Sequence, residues 1–371
     1  MKVMIAAAGT GGHINPGLAI ANKIKEKEPN SEIIFIGTNR GLENDLVPRA
    51  GYQLKQINAY GFNRQLSISN LKKIYKTFCC IGEMRKMIKD FQPDMVIGTG
   101  GYICVPVGLA ASKEKVPLVL HESNAFPGIA VKLLSKKADK VLVGFEDAKK
   151  RLPKAKKVVL TGTPTKVKKH DISEIQKKQM LQSLNLSDQK PVVLFFGGSQ
   201  GAQSINESLM KIILEKKNDT YQMIWAAGPA QYEMIKEKLA DKNRKIENIP
   251  DVKIVPYIYN MEEIMNMVDL VVCRSGAMTI TEIANVGKPA IFIPFPFATE
   301  NHQEYNAKVL EKVGAARIIL DKNLTAEELD RQIHEMVKDR KQLMQMGEKA
   351  NKIAIPNVEE KIYREVKELA F

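Results

Sequence analysis

The apolar run Val3-Met4-Ile5-Ala6-Ala7-Ala8 leads directly into Gly9-Thr10-Gly11-Gly12-His13 and then into a segment with helical periodicity. A short run of this kind, followed by a glycine turn and a helix, is typical of the first βα unit of a parallel sheet. Because the run is short and opens into a turn, we interpret it as a buried first strand and not as a signal peptide. The stretch therefore predicts an open α/β fold.

Short apolar runs alternate with helix-period segments along the whole chain, which predicts βα units around parallel sheets. At 371 residues the chain exceeds the usual size of one hydrophobic core, so two domains are expected. In the first half the predicted strands are Val3–Ala8, Ile33–Gly37, Met95–Gly98, Leu118–His121, Val141–Gly144 and Val158–Gly162. In the second half they are Val192–Phe196, Gln222–Ala226, Lys253–Pro256, Leu270–Cys273 and Ala290–Pro294.

Glycine turns recur at matched places in the two halves. Gly9-Thr10-Gly11-Gly12 ends the first strand of the first half, and Gly197-Gly198-Ser199-Gln200-Gly201 ends the first strand of the second. A later strand in each half also runs into such a turn, at Gly98-Thr99-Gly100-Gly101 and at Arg274-Ser275-Gly276. The chain therefore repeats its own architecture. A lysine-rich stretch between the halves places the hinge near Thr163–Asp171.

The charge balance predicts an anionic partner. The chain has 56 Lys and Arg against 42 Asp and Glu, a net charge of +14 and a pI near 9.4. Nucleic acid, anionic lipid and phosphorylated substrates all fit that charge, but aromatic residues make up only 6% of the chain, which argues against a single-strand nucleic-acid binder. No stretch approaches the ~18 apolar residues of a membrane span. The four cysteines show no metal-binding spacing, and we interpret all of them as packing residues with reduced thiols.

A glycine turn between a buried strand and a helix exposes backbone N–H groups at the positive end of the helix dipole and can bind phosphate. One such turn can serve tight geometry alone. Four turns in matched positions favour phosphate binding. The first turn lacks the third glycine of a dinucleotide fingerprint, and no acidic residue closes the following strand Ile33–Gly37, so an NAD enzyme is disfavoured.

Polar side chains gather after the predicted strands of the first half. His13 follows the first glycine turn, where it can take a proton from a sugar hydroxyl, or merely cap the helix or contact a phosphate. In His121-Glu122-Ser123-Asn124, Asn124 can bind a hydroxyl or acetamido group and Glu122 can orient or share a proton. The alternative is a turn built on Asn and Pro.

The second half offers a nucleotide site. Ser275 to Glu282 starts a helix after a buried strand, so its first turn can hold a pyrophosphate and Glu282 can accept hydrogen bonds from ribose hydroxyls. A solvent-exposed helical glutamate is the common alternative. Downstream, Pro294 to Gln303 forms a Pro- and Phe-rich loop that ends in polar side chains suited to sugar hydroxyls. Core packing is the alternative reason for its Pro and Phe content, and the terminal polar cluster argues against it.

Taken together, Gly9–His13, Gly98–Tyr102, His121–Asn124, Gly197–Ala202 and Cys273–Ala277 resemble the motif series of the MurG family, the N-acetylglucosaminyltransferases of peptidoglycan synthesis. The resemblance runs in order across most of the chain. It implies an α/β chain of the GT-B glycosyltransferase fold, with two Rossmann-like domains whose parallel sheets face a cleft. The expected domains are residues 1–163, joined by 356–371 as a C-terminal helix crossing back, and residues 164–355.

The resemblance also implies the reaction. The expected activity is an inverting transfer of N-acetylglucosamine from UDP-N-acetylglucosamine to the C4 hydroxyl of undecaprenyl-pyrophosphoryl-N-acetylmuramyl-pentapeptide (lipid I). The product would be lipid II for peptidoglycan synthesis, with consequences for cell-wall biogenesis, cell shape and cell division. Neither a metal nor a cofactor is expected.

By the same resemblance the first domain holds the acceptor and the second holds the donor. The implied catalytic residues are His13, as general base, and Glu122. Uracil is expected at Ile258, pyrophosphate at Ser199 and Ser275–Ala277, ribose at Glu282, and the sugar at Gln303 and Asn124. The implied donor-binding set is Thr10, Gly11, Gly12, Asn124, Lys166, Ser199, Gln200, Ile258, Ser275, Gly276, Ala277, Met278, Thr279, Glu282 and Gln303. The implied acceptor-binding set is Gly9, Thr99, Gly100, Gly101 and Tyr102.

One departure from the family pattern concerns Lys166. The family pattern at the hinge is Gly-Asn-Pro-Val-Arg, whereas this chain has Gly162-Thr163-Pro164-Thr165-Lys166. Lysine supplies charge without the bidentate fork of arginine, which weakens the expected contact with the donor.

A lipid acceptor needs a docking surface, and the segment Arg64–Phe91 offers one. Apolar residues recur there at helical spacing beside basic ones, as in an interfacial helix, although an ordinary helix burying that stripe has the same pattern. The expected membrane-surface residues are Leu71, Lys72, Lys73, Ile74, Tyr75, Lys76 and Phe78. The protein is then expected to be peripheral on the cytoplasmic face of the cell membrane, with an anionic membrane surface and other cell-wall synthesis enzymes as partners and no nucleic acid.

Three other functions fit parts of the sequence. A non-hydrolysing UDP-sugar 2-epimerase would need no acceptor, and a glycolipid synthase would use diacylglycerol. A membrane-bound nucleotide-sugar sensor would release no UDP.

Overall fold

A computed structural model describes residues 1–60, 68–198 and 200–370, and for residues 68–74 and 78 it describes the backbone alone. The chain forms two compact units. The first comprises Met1–Thr165 together with Ile355–Phe371, and the second comprises Lys166–Ala354. The division between them falls between Thr165 and Lys166.

The first unit is built on a seven-stranded parallel sheet with the order β3-β2-β1-β4-β5-β6-β7. Val3 of the central strand β1 pairs with Ile33 of β2 on one side and with Met95 of β4 on the other. The strands are β1 Lys2–Ala6, β2 Glu32–Gly37, β3 Gln53–Gln56, β4 Met95–Gly98, β5 Leu118–Glu122, β6 Lys140–Val143 and β7 Val158–Leu160. The helices are α1 Gly11–Lys27, α2 Glu43–Arg49, α3 Ile68–Phe91, α4 Cys104–Lys113, α5 Ile129–Leu134 and α6 Glu146–Lys149.

The second unit repeats this plan with a six-stranded parallel sheet of order β10-β9-β8-β11-β12-β13. The strands are β8 Val192–Phe196, β9 Gln222–Ala226, β10 Val252–Val255, β11 Leu270–Cys273, β12 Ala290–Phe292 and β13 Ala316–Ile318. The α-helices are α7 Glu174–Ser183, α8 Gln203–Leu214, α9 Pro229–Ala240, α10 Met261–Met267, α11 Ala277–Val286, α12 His302–Lys312, α13 Ala326–Val337 and α14 Arg340–Lys352. Short 3₁₀ turns lie at Ile246–Asn248, Thr299–Asn301 and Asp321–Asn323.

Both sheets are buried on their two faces, because crossover helices cover each side. In the first unit, Ile5, Ile97 and Leu142 face one core, whereas Met4, Val96 and Val141 face the other. In the second unit Trp225, Phe195 and Tyr221 are fully buried beside β8 and β9. This double burial explains why the strands are continuous apolar runs in the sequence.

The predicted strands are confirmed, but the sequence analysis missed β3 and β13. Both are edge strands, so each pairs along one side only. In β3, Gln53, Lys55 and Gln56 are exposed, and β13 is only three residues long. Neither has the apolar run by which a buried strand is found.

The chain ends in helix α15, Val358–Ala370, as the pattern after Pro356 predicts. This helix belongs to the first unit, where Ile362 and Val366 pack into the core beside α1. Tyr363 donates a hydrogen bond from its hydroxyl to Glu28 Oε1 at 3.0 Å. The Lys140 ammonium, which is almost fully buried, donates to Glu365 Oε2 at 2.7 Å and also to Glu368.

Within the described ranges, no helix is both long enough and apolar enough to cross a membrane. Cys80, Cys104 and Cys273 are buried, as their interpretation as packing residues requires. Cys79 is exposed, so that interpretation is wrong for Cys79.

Candidate functional site

The glycine turns lie at the topological switch point of each sheet, where ligands of open α/β folds bind. In the first unit the chain leaves β1 toward β2 on one side and later returns to β4 on the other. The loops after β1 and β4 therefore flank the crevice between these strands. In the second unit β8 and β11 stand in the same relation, and they are followed by the turns at residues 197–201 and 274–276.

The loop after β1 presents three backbone donors at the start of α1. Gly9 has a positive φ of 95°, which favours glycine there, and Thr10 caps the helix in an extended conformation. The His13 N–H donates to Thr10 O. The backbone N–H groups of Thr10, Gly11 and Gly12 have no acceptor among the residues that the structure describes. They lie at the positive end of a 17-residue helix, which is a suitable place for an anion.

The His13 ring packs against the glycine turn after β4. Its Nδ1 lies 3.2 Å from Ala8 O. Because a carbonyl oxygen only accepts, the neutral ring carries its hydrogen on Nδ1 and its lone pair on Nε2. A Cβ on Gly100 would lie 2.4 Å from His13 Cδ2, and one on Gly101 would lie 2.8 Å from Ala8 O. Both glycines also have positive φ, 118° and 82°, which favours glycine at these positions. Because neither has a side chain, the turn leaves room for the imidazole.

Other predicted acceptor-side residues use their polar atoms inside the protein. The Thr99 hydroxyl donates to His13 O at 2.7 Å. The Gly100 N–H donates to Cys104 Sγ at 3.3 Å, and the Gly9 N–H donates to Glu43 Oε2 at 3.0 Å. Tyr102 is half-buried against the core. These groups shape the loops, whereas the N–H groups of residues 10–12 remain as donors.

The Glu122 carboxylate holds the turn after β5. It is buried and accepts hydrogen bonds from the Asn124 N–H at 2.9 Å, from Asn124 Nδ2 at 3.0 Å and from the Gly128 N–H at 2.7 Å. Burial raises the pKa of Glu122, although these donors oppose the shift. Asn124 Nδ2 is thus turned toward the Glu122 carboxylate. The geometry favours the orienting role predicted for Glu122.

His121 is a structural residue. It is fully buried, its Nε2 lies 3.0 Å from Gly162 O, and burial lowers its pKa to about 4. It is therefore neutral at physiological pH and joins the end of β5 to the segment after β7.

In the second unit the glycine turn after β8 packs closely against the loop after β9. A Cβ on Gly201 would lie 2.3 Å from Ala227 O, and one on Gly228 would lie 2.6 Å from Gly201 Cα. Gln200 is exposed beside the turn, and Ser199 lies outside the described residues. Sequence reasoning missed Gly228, because a glycine before a proline marks a turn without indicating which loop it faces.

The start of α11 presents a second set of donors. Gly276 is its N-cap, and Ala277, Met278 and Thr279 form its first turn. Within the described parts of the chain, the N–H groups of these three residues have no protein acceptor, and they point out of the positive helix end.

Gln303 ties the β11 turn to the loop after β12. Its Oε1 accepts hydrogen bonds from the Ser275 N–H at 3.2 Å and from the Phe295 N–H at 2.9 Å. Its backbone oxygen accepts from Ser275 Oγ at 2.8 Å. Because Oε1 already has two donors, the side-chain group that Gln303 offers a ligand is its amide nitrogen. Arg274 donates a hydrogen bond to Ile293 O of the same loop at 3.1 Å. It also donates to Asp321 Oδ1, which follows β13.

The other predicted donor residues are divided between the units: Thr10, Gly11, Gly12 and Asn124 belong to the first, and Ile258, Glu282 and Lys166 to the second. Ile258 is buried after β10 between two exposed tyrosines, Tyr257 and Tyr259, whose rings meet edge to face at 5.0 Å. Glu282 is half-exposed on α11, six residues after the N-cap. Lys166 is exposed at the first position of the unit. The structure thus places Ser275–Thr279, Glu282 and Gln303 around one helix start.

Sequence reasoning also missed Glu43, a fully buried carboxylate beside the first glycine turn. No local pattern marks it, since its partner Gly9 comes from the loop after another strand. Of the expected membrane-surface residues, Tyr75 and Lys76 are exposed on α3. The side chains of Leu71, Lys72, Lys73, Ile74 and Phe78 lie outside the described residues. In the described part of the chain, no group of three or more His, Cys, Asp or Glu side chains is arranged to hold a metal ion.

Comparisons with known proteins cover both units. Residues 3–143 match the N-terminal domain of glycosyltransferase family 28, and residues 192–362 match its C-terminal domain. A relative from Acetivibrio thermocellus is named "UDP-N-acetylglucosamine--N-acetylmuramyl-(pentapeptide) pyrophosphoryl-undecaprenol N-acetylglucosamine transferase". It is 45% identical over 370 residues, which is 100% of this chain and 98% of the relative. A relative of the same name from Clostridioides difficile is 41% identical and spans 99% of this chain and 88% of its own.

Solved structures agree with this likeness. The crystal structure of MurG from Acinetobacter baumannii superposes with a TM-score of 0.79 at 29% identity and covers 99% of each chain. A UDP-N-acetylglucosamine 2-epimerase from Neisseria meningitidis, solved with UDP-N-acetylglucosamine bound, gives a TM-score of 0.65 over 99% of this chain and 100% of its own. Its identity is 17%, so that likeness shows the fold alone. The predicted GT-B glycosyltransferase fold is confirmed.

Proposed function

This chain belongs to the MurG family of N-acetylglucosaminyltransferases, within glycosyltransferase family 28, and from that membership we propose how its residues divide the reaction. The protein transfers N-acetylglucosamine from UDP-N-acetylglucosamine to undecaprenyl-pyrophosphoryl-N-acetylmuramyl-pentapeptide, a step of peptidoglycan synthesis. The 45% identity that extends over 370 residues carries this conclusion.

The second unit binds the donor. The N–H groups at the start of α11 hold the UDP pyrophosphate, Glu282 accepts hydrogen bonds from the ribose hydroxyls, and the backbone around Ile258 receives the uracil. Gln303 offers its amide nitrogen to the sugar. The support for this assignment is the helix start at residues 276–279, whose donors lie at the switch point of the β8–β11 sheet.

The first unit binds the acceptor and supplies the base. Thr10, Gly11 and Gly12 are in the donor-binding set that the resemblance implies, but they lie in the unit to which we assign the acceptor. We therefore assign their N–H groups to the acceptor's pyrophosphate, and His13 stands in the next position of the same helix start. His13 Nε2 takes the proton from the acceptor C4 hydroxyl while that oxygen forms a bond to the anomeric carbon. The bond from the anomeric carbon to UDP breaks, and its electron pair leaves with the diphosphate, which helix N-termini stabilise. Displacement from the opposite face inverts the anomeric centre.

The acceptor's lipid requires contact with a membrane, and we assign it to α3. Tyr75 is 71% exposed there beside the exposed Lys76, an aromatic and basic pair suited to the headgroup region of anionic lipid. The protein then works as a peripheral protein on the cytoplasmic face of the cell membrane. Tyr75→Asp is expected to reduce co-sedimentation with phosphatidylglycerol vesicles and to leave UDP affinity unchanged. Met344→Asp, at a residue that is 70% exposed in the second unit, is the matched control and is expected to sediment like the unaltered protein.

Transfer is tested with radiolabelled UDP-N-acetylglucosamine and bacterial membranes. Label is expected in a lipid that carries both amino sugars, and only when the muramyl-pentapeptide lipid is present. Epimerised donor formed without an acceptor would instead indicate a 2-epimerase. Labelled diacylglycerol glycolipid would indicate a glycolipid synthase, and UDP binding with no UDP release would indicate a sensor.

A further inference from the structure

A buried carboxylate, Glu43, supports the first glycine turn from behind. Glu43 is the first residue of α2 and its side chain has no exposed surface. Its Oε2 accepts the Gly9 N–H at 3.0 Å, and its Oε1 accepts the Thr38 N–H at 2.9 Å and the Thr38 hydroxyl at 2.8 Å. Among the described residues, no lysine, arginine or histidine forms an ion pair with it. A buried charge without a cation is costly, so these hydrogen bonds must stabilise it.

Two glycines, Gly37 and Gly41, pack directly against the Glu43 side chain. A Cβ on Gly37 would lie 2.7 Å from Glu43 Cγ, and a Cβ on Gly41 would lie 1.9 Å from Glu43 Oε2. Burial on its own would raise the pKa of Glu43, but the donors from Gly9 and Thr38 outweigh burial and hold that pKa below its usual value. The group is therefore ionised at neutral pH and fixed between the loops after β1 and β2.

The contact with Gly9 sets the direction of the residues that follow. Gly9 has φ of 95°, and its N–H is turned back toward Glu43. The next three N–H groups, those of residues 10–12, have no acceptor in the described chain. A carboxylate that takes the first N–H of the turn therefore leaves the following ones for an outside anion.

We propose that Glu43 is a positioning residue, which fixes the Gly9–Gly12 turn so that the N–H groups of Thr10, Gly11 and Gly12 converge on a pyrophosphate. The inference rests on the proposed function of this turn and adds a residue to it. Glu43 has no exposed surface with which to contact a substrate. Two substrates carry a pyrophosphate, the lipid-linked acceptor and the UDP-sugar, and the kinetic arms of the test separate them.

The test compares Glu43→Gln with Asp45→Asn. Glutamine keeps the shape of Glu43 but has one acceptor oxygen in place of two, so it places an N–H₂ against a backbone donor. Asp45 lies on the same helix, is 54% exposed and pairs with Arg49, so its variant controls for loss of a charge in α2. Inorganic pyrophosphate is titrated while the amide signals of residues 10–12 are followed by NMR. Glu43→Gln is expected to weaken pyrophosphate binding about tenfold, and Asp45→Asn is expected to leave it unchanged.

Kinetics then identify the substrate. A rise in the acceptor KM with an unchanged dissociation constant for UDP assigns the turn to the acceptor, and the reverse assigns it to the donor. Unchanged pyrophosphate binding and kinetics in a folded Glu43→Gln variant overturn the inference. If wild-type protein binds pyrophosphate at these amides and makes no product, the proposed function fails and the role of Glu43 stands.

A second variant covers the case in which Glu43→Gln does not fold. Thr38→Val removes the hydroxyl donor to Glu43 Oε1 and the acceptor of a long 3.4 Å hydrogen bond from the Arg40 N–H, and it keeps the shape of the buried side chain. It is expected to weaken pyrophosphate binding about threefold in the same NMR titration, and to change the kinetics of the same substrate as Glu43→Gln does. A folded Thr38→Val variant with wild-type binding would overturn the proposal as well.

Discussion

The position of the His13 ring depends on residues of two loops, the one after β1 and the one after β4. The imidazole occupies the volume that a side chain at position 100 would fill, and a side chain at position 101 would meet Ala8 O. The hydrogen on His13 Nδ1 is directed to the same Ala8 O. The glycines of the turn after β4 are therefore explained by a histidine on another element. The sequence predicted both the histidine and the glycines, but it assigned the glycines to the acceptor and could not show that they adjoin the ring.

Gly100→Ala tests whether Gly100 fixes the position of the His13 ring. The added methyl would lie 2.4 Å from His13 Cδ2, so the ring must move, and a shift of about 1 Å in a catalytic group can lower turnover about 100-fold. UDP affinity is expected to stay the same. Gly51→Ala is the control, because Gly51 also has positive φ, 83°, and has no atom within 4 Å of an added Cβ. It should cost about 1 kcal/mol of stability and leave turnover unchanged. Equal turnover in the two variants would show that Gly100 does not fix the position of the His13 ring.

The pair Glu122 and Asn124 is predicted to act as one unit. If the Glu122 carboxylate only holds the Asn124 amide, then Glu122→Gln and Asn124→Ala should each lower turnover about tenfold. The double variant should be no worse than either single one, because both changes remove the same contact. Steady-state kinetics on the four proteins measure the coupling. Multiplied losses in the double variant would mean that Glu122 takes part in proton transfer by itself.

At the scale of elements, the buried strands and their glycine turns were predictable from the chain because each is a local pattern. Strands β3 and β13 were not, since three of the four residues of β3 are polar and exposed and β13 is only three residues long. Glu43 shows a second limit. Its partners lie 34 and 5 residues away, and no spacing rule connects a buried carboxylate to a loop of another strand.

Helix α15 offers a stability prediction. Lys140 on β6 is buried and bonds to two glutamates of the helix, so Lys140→Met keeps the aliphatic stem and removes the charged hydrogen bonds. We expect a loss of about 1–3 kcal/mol from the free energy of unfolding, with faster hydrogen exchange in Val358–Ala370. Lys157→Met is the control: Lys157 pairs with the same glutamates but is 50% exposed, so its removal should matter less. Equal effects would show that burial of Lys140 adds nothing.

The whole molecule consists of two units of the same plan, each with backbone donors at the switch point of its own sheet. Both donor sets were predictable, because a helix start after a buried strand has a sequence signature. Their division between the two substrates came from resemblance to a known family, since the physics of a helix N-terminus does not distinguish one diphosphate from another.

A crossed experiment tests that division. His13→Ala in the first unit is expected to lower turnover at least about 100-fold and to leave the dissociation constant of UDP unchanged, because the histidine acts on the acceptor proton. Glu282→Gln in the second unit is expected to weaken UDP binding about tenfold, since a carboxylate that accepts hydrogen bonds from two ribose hydroxyls loses one acceptor. Calorimetry gives the affinity, and single-turnover measurements at saturating donor give the rate. The double variant should show both losses at full size, because changes at sites with no shared partner add in free energy. Weaker UDP binding in His13→Ala, or a slow step at saturating donor in Glu282→Gln, would mean that the two units do not divide donor and acceptor in this way.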